Sequence, residues 1–106
     1  MTELHLVPPP DPEQMAESLL TRAEAILQFL NLKSGRRFPA RTPRGNPTSA
    51  LLLIVDRLKD GWPDADFRSV IAMKVRNVRT DKDAFYLRPE TLFRKSNFEA
   101  SIGELG

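Results

Sequence analysis

Apolar residues recur at spacings of three and four from Met15 through Leu19, Leu20, Ala23, Ile26 and Leu27 to Leu30. A 3.6-residue period places such positions on one face, which predicts a first helix over roughly Pro12 to Lys33. Its start carries matching chemistry: Asp11 as cap, Pro12 at the first position, and Gln14 three residues past the cap as in a capping box. Gly35 is the stop. The next stretch, GRRFPARTPRGNP, holds three prolines and two glycines among thirteen residues, so a long loop without regular structure is expected there. A second helix is predicted from a cap at Thr48 or Ser49, through Leu51, Leu52, Ile54, Val55 and Leu58, to a stop at Gly61. A third opens around Pro63, with Asp64 and Asp66 in its positively polarised first turn. It buries Phe67, Val70, Ile71 and Val75, with Val78 at its end, and keeps Arg68, Lys74 and Arg76 on its polar face.

Beyond Val78 the period fades, and RTDKDAF reads as a polar connection or a short helical turn. In YLRPETLF, Tyr86 to Phe93, Pro89 opens a short helix whose dipole Glu90 suits, with Tyr86, Leu87, Leu92 and Phe93 as packing residues. NFEASIGEL predicts a closing helix capped by Asn97, with Phe98 and Ile102 four residues apart. Three consecutive prolines, Pro8 to Pro10, make residues 1–10 a tail, and 11–106 a single domain. The class expected is all-α: a compact bundle of three main helices plus short C-terminal helices, with a long loop between helices 1 and 2. A small β pairing at Phe38 or over Phe85 to Leu87 stays open.

Composition narrows the function classes. The 106 residues are 41% hydrophobic and 28% charged, enough for one core and too little for two. Cysteine is absent, which removes disulfides, thiolate chemistry and cysteine-ligated zinc. The N-terminus lacks a basic segment followed by an apolar run, and no apolar stretch reaches the roughly 18–20 residues of a membrane span. A soluble cytoplasmic protein without membrane contact is expected. The single histidine, His5, lies in the proline-rich tail, and no Gly-rich phosphate-binding run exists. Asp64 with Asp66, or Asp81 with Asp83, are the nearest approach to a metal site, and capping and dipole effects explain them. No enzyme activity, cofactor or metal is expected.

Charge placement leaves binding as the function to look for. Net charge is only +2, with a sequence pI of about 9.3. The first thirty residues hold five acids against Arg22, whereas Lys33, Arg36, Arg37, Arg41 and Arg44 follow with no acid among them. Such a loop suits phosphate neutralisation, which needs charge density more than placement; a solvated loop explains it equally well. Phe38 among these arginines either stacks on an unpaired base or, the more frequent arrangement, anchors the loop on the core. Lys74, Arg76, Arg79 and Arg88 complete the candidate binding residues. Arg88 has the alternatives of pairing with Glu90 or Asp83, or meeting a helix C-terminus. Trp62 reads as a core or hinge anchor.

Three segments carry a resemblance. ILQFLNLKSGRRF (Ile26 to Phe38), DRLKDGWPDADFRSVIAMKV (Asp56 to Val75) and YLRPETLF resemble the opening, middle and closing motifs of the conserved C-terminal domain of phage replication proteins. These are the replisome-organiser or DnaD-like initiators of phages and prophages. The family's tryptophan after the Lys-Val pair is replaced here near Val78. Its usual N-terminal winged-helix module has no counterpart in the 24 residues before Ala25, so a stand-alone copy is expected. The resemblance implies a non-enzymatic part in starting phage DNA replication. The partners expected are single-stranded DNA and the replicative helicase or its loader. The alternative is an adaptor or inhibitor that binds a host replication or defence factor. An exposed apolar side on the first helix would add a homodimer.

Overall fold

The structure, a computed structural model, describes residues 12–105. The cap expected at Asp11 and the tail before it lie outside the described residues. Six helices follow in order: α1 (Pro12–Ser34), α2 (Ser49–Lys59), α3 (Asp64–Arg76), α4 (Asp81–Phe85), α5 (Pro89–Leu92) and α6 (Lys95–Leu105). The chain is all-α. Among the described residues the β geometry amounts to one isolated antiparallel bridge, Arg41 to Pro47, at neither place where pairing was open. No helix among them is long and apolar enough to cross a membrane.

Local chemistry sets the helix ends. Thr48 caps α2, its hydroxyl accepting from the Leu51 N–H at 3.3 Å, and Gly61 leaves the helix at φ 104°, a backbone region that disfavours any side chain. Thr80 caps α4 by accepting from the Asp83 N–H at 3.2 Å, and Pro89 opens α5. The closing helix departs from expectation: it starts at Lys95, so Asn97 lies inside it. The Asn97 side chain instead donates to the Thr91 carbonyl at 2.8 Å. It serves the end of α5, whose carbonyls lack intrahelical donors.

The core forms where α1 packs on α2 and α3, α5 on α2, and α6 on α3 and α5. Ala23, Ile26, Leu27 and Leu30 meet Leu51, Ile54, Val70 and Ile71. Phe67, Phe93 and Phe98 stack at its centre, with ring centroids 4.7 Å apart for Phe67 and Phe98 and 6.0 Å for the other two pairs. Trp62 closes over Phe98 edge-on at 6.0 Å. The short C-terminal helices thus supply half of the aromatic centre. The apolar period of α1 outruns this core: Met15 is 52% exposed.

Two charged features pin the bundle. Arg22 on α1 forms an ion pair with Asp64 at the start of α3, its Nε donating at 3.0 Å. The Arg22 guanidinium holds the Asp64 carboxyl below the usual carboxylate range, against a smaller upward push from burial. Arg57, buried in α2, donates from a terminal nitrogen to the Phe93 carbonyl at 3.3 Å. Its Nε lies 2.9 Å from Asp60 Oδ2, yet that N–H is not aligned as a hydrogen bond, so the contact is ionic. Arg57 thereby occupies a helix C-terminus, a role that sequence reasoning considered for Arg88.

Candidate nucleic-acid interface

The loop between α1 and α2 is tied down at four places. Asn31, near the end of α1, closes both hydrogen bonds of the Phe38 backbone: its Oδ1 accepts from the N–H at 2.9 Å and its Nδ2 donates to the carbonyl at 3.0 Å. The Phe38 ring packs against the core, so it anchors the loop. Arg41 donates to Glu24 of α1 at 3.0 and 2.6 Å and to the Gly45 carbonyl at 3.1 Å. Thr42 and Gly45 close a turn at 2.8 Å. Thr48 returns the chain, its N–H donating to the Ala40 carbonyl at 3.0 Å and its hydroxyl to that of Pro39 at 2.8 Å. Prolines delete donors from this segment, and side chains replace the missing ladder.

This scaffold divides the basic residues. Arg41 is committed to the fold. Lys33, Arg36, Arg37 and Arg44 are exposed, and among the described residues none of them joins an ion pair. Lys33 lies over the Phe29 ring, 5.5 Å from its centroid, which leaves the charge in water. The loop therefore presents three arginines from a fixed backbone, with Lys33 beside them in the last turn of α1.

The other four candidates lie apart in sequence, at the end of α3 and around α4. Lys74 pairs with Glu104 of α6 at 2.9 Å. Arg76 and Arg79 are exposed. Arg88 takes none of the partners expected for it; its guanidinium sits over the Phe85 ring at 4.7 Å from the centroid. Tyr86 departs from its expected packing role and is 52% exposed. Leu87 turns inward after α4, which carries the preceding two side chains outward. Nothing in the local pattern signals this, because an aromatic before a buried leucine fits either side of a turn.

Between the end of α3, α4 and α6 lies a cleft of about 390 Å³, lined by Met73, Lys74, Asn77, Asp83, Tyr86 and Glu104 among others. Among the described residues no group of three or more histidines, cysteines or carboxylates converges as a metal site would require, and Asp64 is already occupied by Arg22.

The family whose model matches is described as a conserved phage C-terminus, and the match runs over residues 26–102. It begins inside α1, takes in the basic loop, YLRPETLF and the cleft lining other than Glu104, and ends inside α6. No curated protein and no solved structure matches the chain. With more than two thirds of its residues matched, the chain belongs to the conserved phage C-terminus family.

Proposed function

We propose that the protein is a non-enzymatic phage or prophage factor of DNA replication initiation, acting in the host cytoplasm and contacting single-stranded DNA through the α1–α2 loop. The observation that carries this reading is the division of charge within the loop: Arg41 is spent on Glu24, while Arg36, Arg37 and Arg44 stay exposed on an immobilised backbone. Pre-ordered cations bind a phosphate chain at a lower ordering cost than a flexible tail. The replication context rests on the resemblance of the three motifs to replisome organisers. Titration of a fluorescent single strand at rising salt tests the proposal. Each phosphate contact contributes about −0.7 to the slope of log affinity against log salt, so Arg36→Ala, Arg37→Ala and Arg44→Ala together flatten it by about two. Absence of binding at low salt overturns the reading.

A second reading, an adaptor or inhibitor that binds a host replication or defence protein such as the helicase or its loader, is favoured by Leu32, which is 79% exposed on α1. A leucine so placed contributes little to folding, and a partner that covers it gains its apolar area. Capture of one defined host protein from nuclease-treated lysate, lost in Leu32→Ser, supports it; capture unaffected by Leu32→Ser counts against it.

A further inference from the structure

The cleft beside α4 has its own chemistry, separate from the basic loop. Its volume of about 390 Å³ falls within the roughly 300–1,000 Å³ of small-ligand sites. A recess of about 170 Å³ continues it and shares Lys74, Tyr86 and Glu104. Tyr86 lines both, yet it is 52% exposed. Phe85 beside it is 50% exposed, its ring edge-on to Tyr86 at 6.0 Å and 87°, and it holds Arg88 over its face. Core packing does not account for two adjacent exposed aromatics.

The polar groups are sorted by position. Along the lining, half-buried Asp83 and exposed Glu104 each commit one oxygen: Asp83 Oδ2 accepts from the Arg79 N–H at 3.2 Å and Glu104 Oε2 from Lys74 Nζ at 2.9 Å. Their second oxygens have no hydrogen-bond partner among the described residues. Two carboxylates against one lysine repel a phosphate from the interior. Arg76, Arg79 and Arg88, on the segments that frame the cleft, are exposed and outside every ion pair among the described residues. Acceptors and an aromatic wall along the lining, with unpaired arginines on the flanking segments, suit a ligand made of a flat neutral ring with amino groups joined to an anion. An unpaired nucleotide is such a ligand: its ring stacks on an aromatic face and its amino group donates to a carboxylate.

We propose that this cleft takes one unpaired nucleobase of a single strand, stacked on Tyr86 with its edge toward Asp83 and Glu104, while the flanking phosphates meet Arg76, Arg79 and Arg88. The proposal rests on the single-strand reading above and adds to it a contact that depends on the base. A loop that reads phosphate alone is indifferent to whether bases are present.

The test compares a base-bearing single strand with an abasic strand of equal length at one salt concentration. A second probe carries 2-aminopurine, whose emission falls on stacking. The wild-type chain is expected to prefer the base-bearing strand by about fivefold or more, the lower end of what a stacked base contributes. Tyr86→Ala abolishes that preference and the loss of emission without changing affinity for the abasic strand, and Tyr86→Trp retains both. An unchanged melting temperature shows that the variants are folded. Equal affinity for the two strands, both weakened by the loop arginine substitutions, overturns the pocket and leaves the loop reading standing. Binding of neither strand overturns both and leaves the cleft to a protein segment.

Discussion

Asn31 does for the α1–α2 loop what a neighbouring strand does for an edge: one amide satisfies both backbone groups of Phe38. Deleting it leaves a half-buried donor and acceptor unpaired, which costs about 1–2 kcal/mol. Asn31→Ala is therefore expected to lower stability by that amount in urea titration and to speed amide exchange over residues 36–48 while leaving α3 protected. Unchanged exchange in the loop would show that Arg41 and Thr48 hold it without Asn31. The asparagine was readable in the sequence only as part of a motif, since its partner depends on the path of the loop. Arg57 was missed for the same reason: its position at three residues from Ile54 suits burial, but its acceptor, the Phe93 carbonyl, lies 36 residues away.

The main helices were legible because each is long enough for its period to show and each has chemistry at its ends. The second begins where Thr48 was expected to cap it, and Thr48 has a further task, since it also fastens the returning loop at Pro39 and Ala40. A lost cap costs about 1 kcal/mol, up to about 2. Thr48→Ala is expected at the upper end of that range by thermal melting, with Thr48→Ser retaining most of the stability. A loss for Thr48→Ser equal to that for Thr48→Ala would show that the hydroxyl contributes nothing. The short helices α4 and α5 span five and four residues, too few for a period, and only Pro89 signalled either start. The start of α6 was misplaced because Asn97 is a good cap residue whose amide the end of α5 claims first.

The bundle as a whole is joined by ion pairs between elements far apart in sequence, and one of them, Arg22 with Asp64, makes its stability depend on pH. Asp64 is held below its ordinary carboxylate value by Arg22, so the unfolded chain takes up the proton first as pH falls. Its contribution is complete above the unfolded value of about 3.9 and is lost as pH drops through the lower folded value. Arg22 stays charged throughout. Both side chains are partly exposed, at 41% and 31%, and solvent screening limits the pair to about 1 kcal/mol or less. Asp64→Asn is expected to cost that much at pH 7 in denaturant titration, with the gap to wild type closing as pH falls through the lowered folded value and shrinking in high salt. A gap that is constant across pH would place the effect in packing.

The sequence by itself determined the all-α class, the three main helices, the basic loop and the family. These depend on local period, capping chemistry and motif, which travel with neighbouring residues. The tertiary structure alone decided which cations are spent and which remain. Arg41 meets Glu24 across 17 positions, Lys74 meets Glu104 across 30, and Arg22 meets Asp64 across 42. It also turned Tyr86 outward and placed Asp83 and Glu104 in one cleft. The physical reason is reach: a charge or a ring has its effect over a few ångströms, and only the path of the backbone brings distant residues that close.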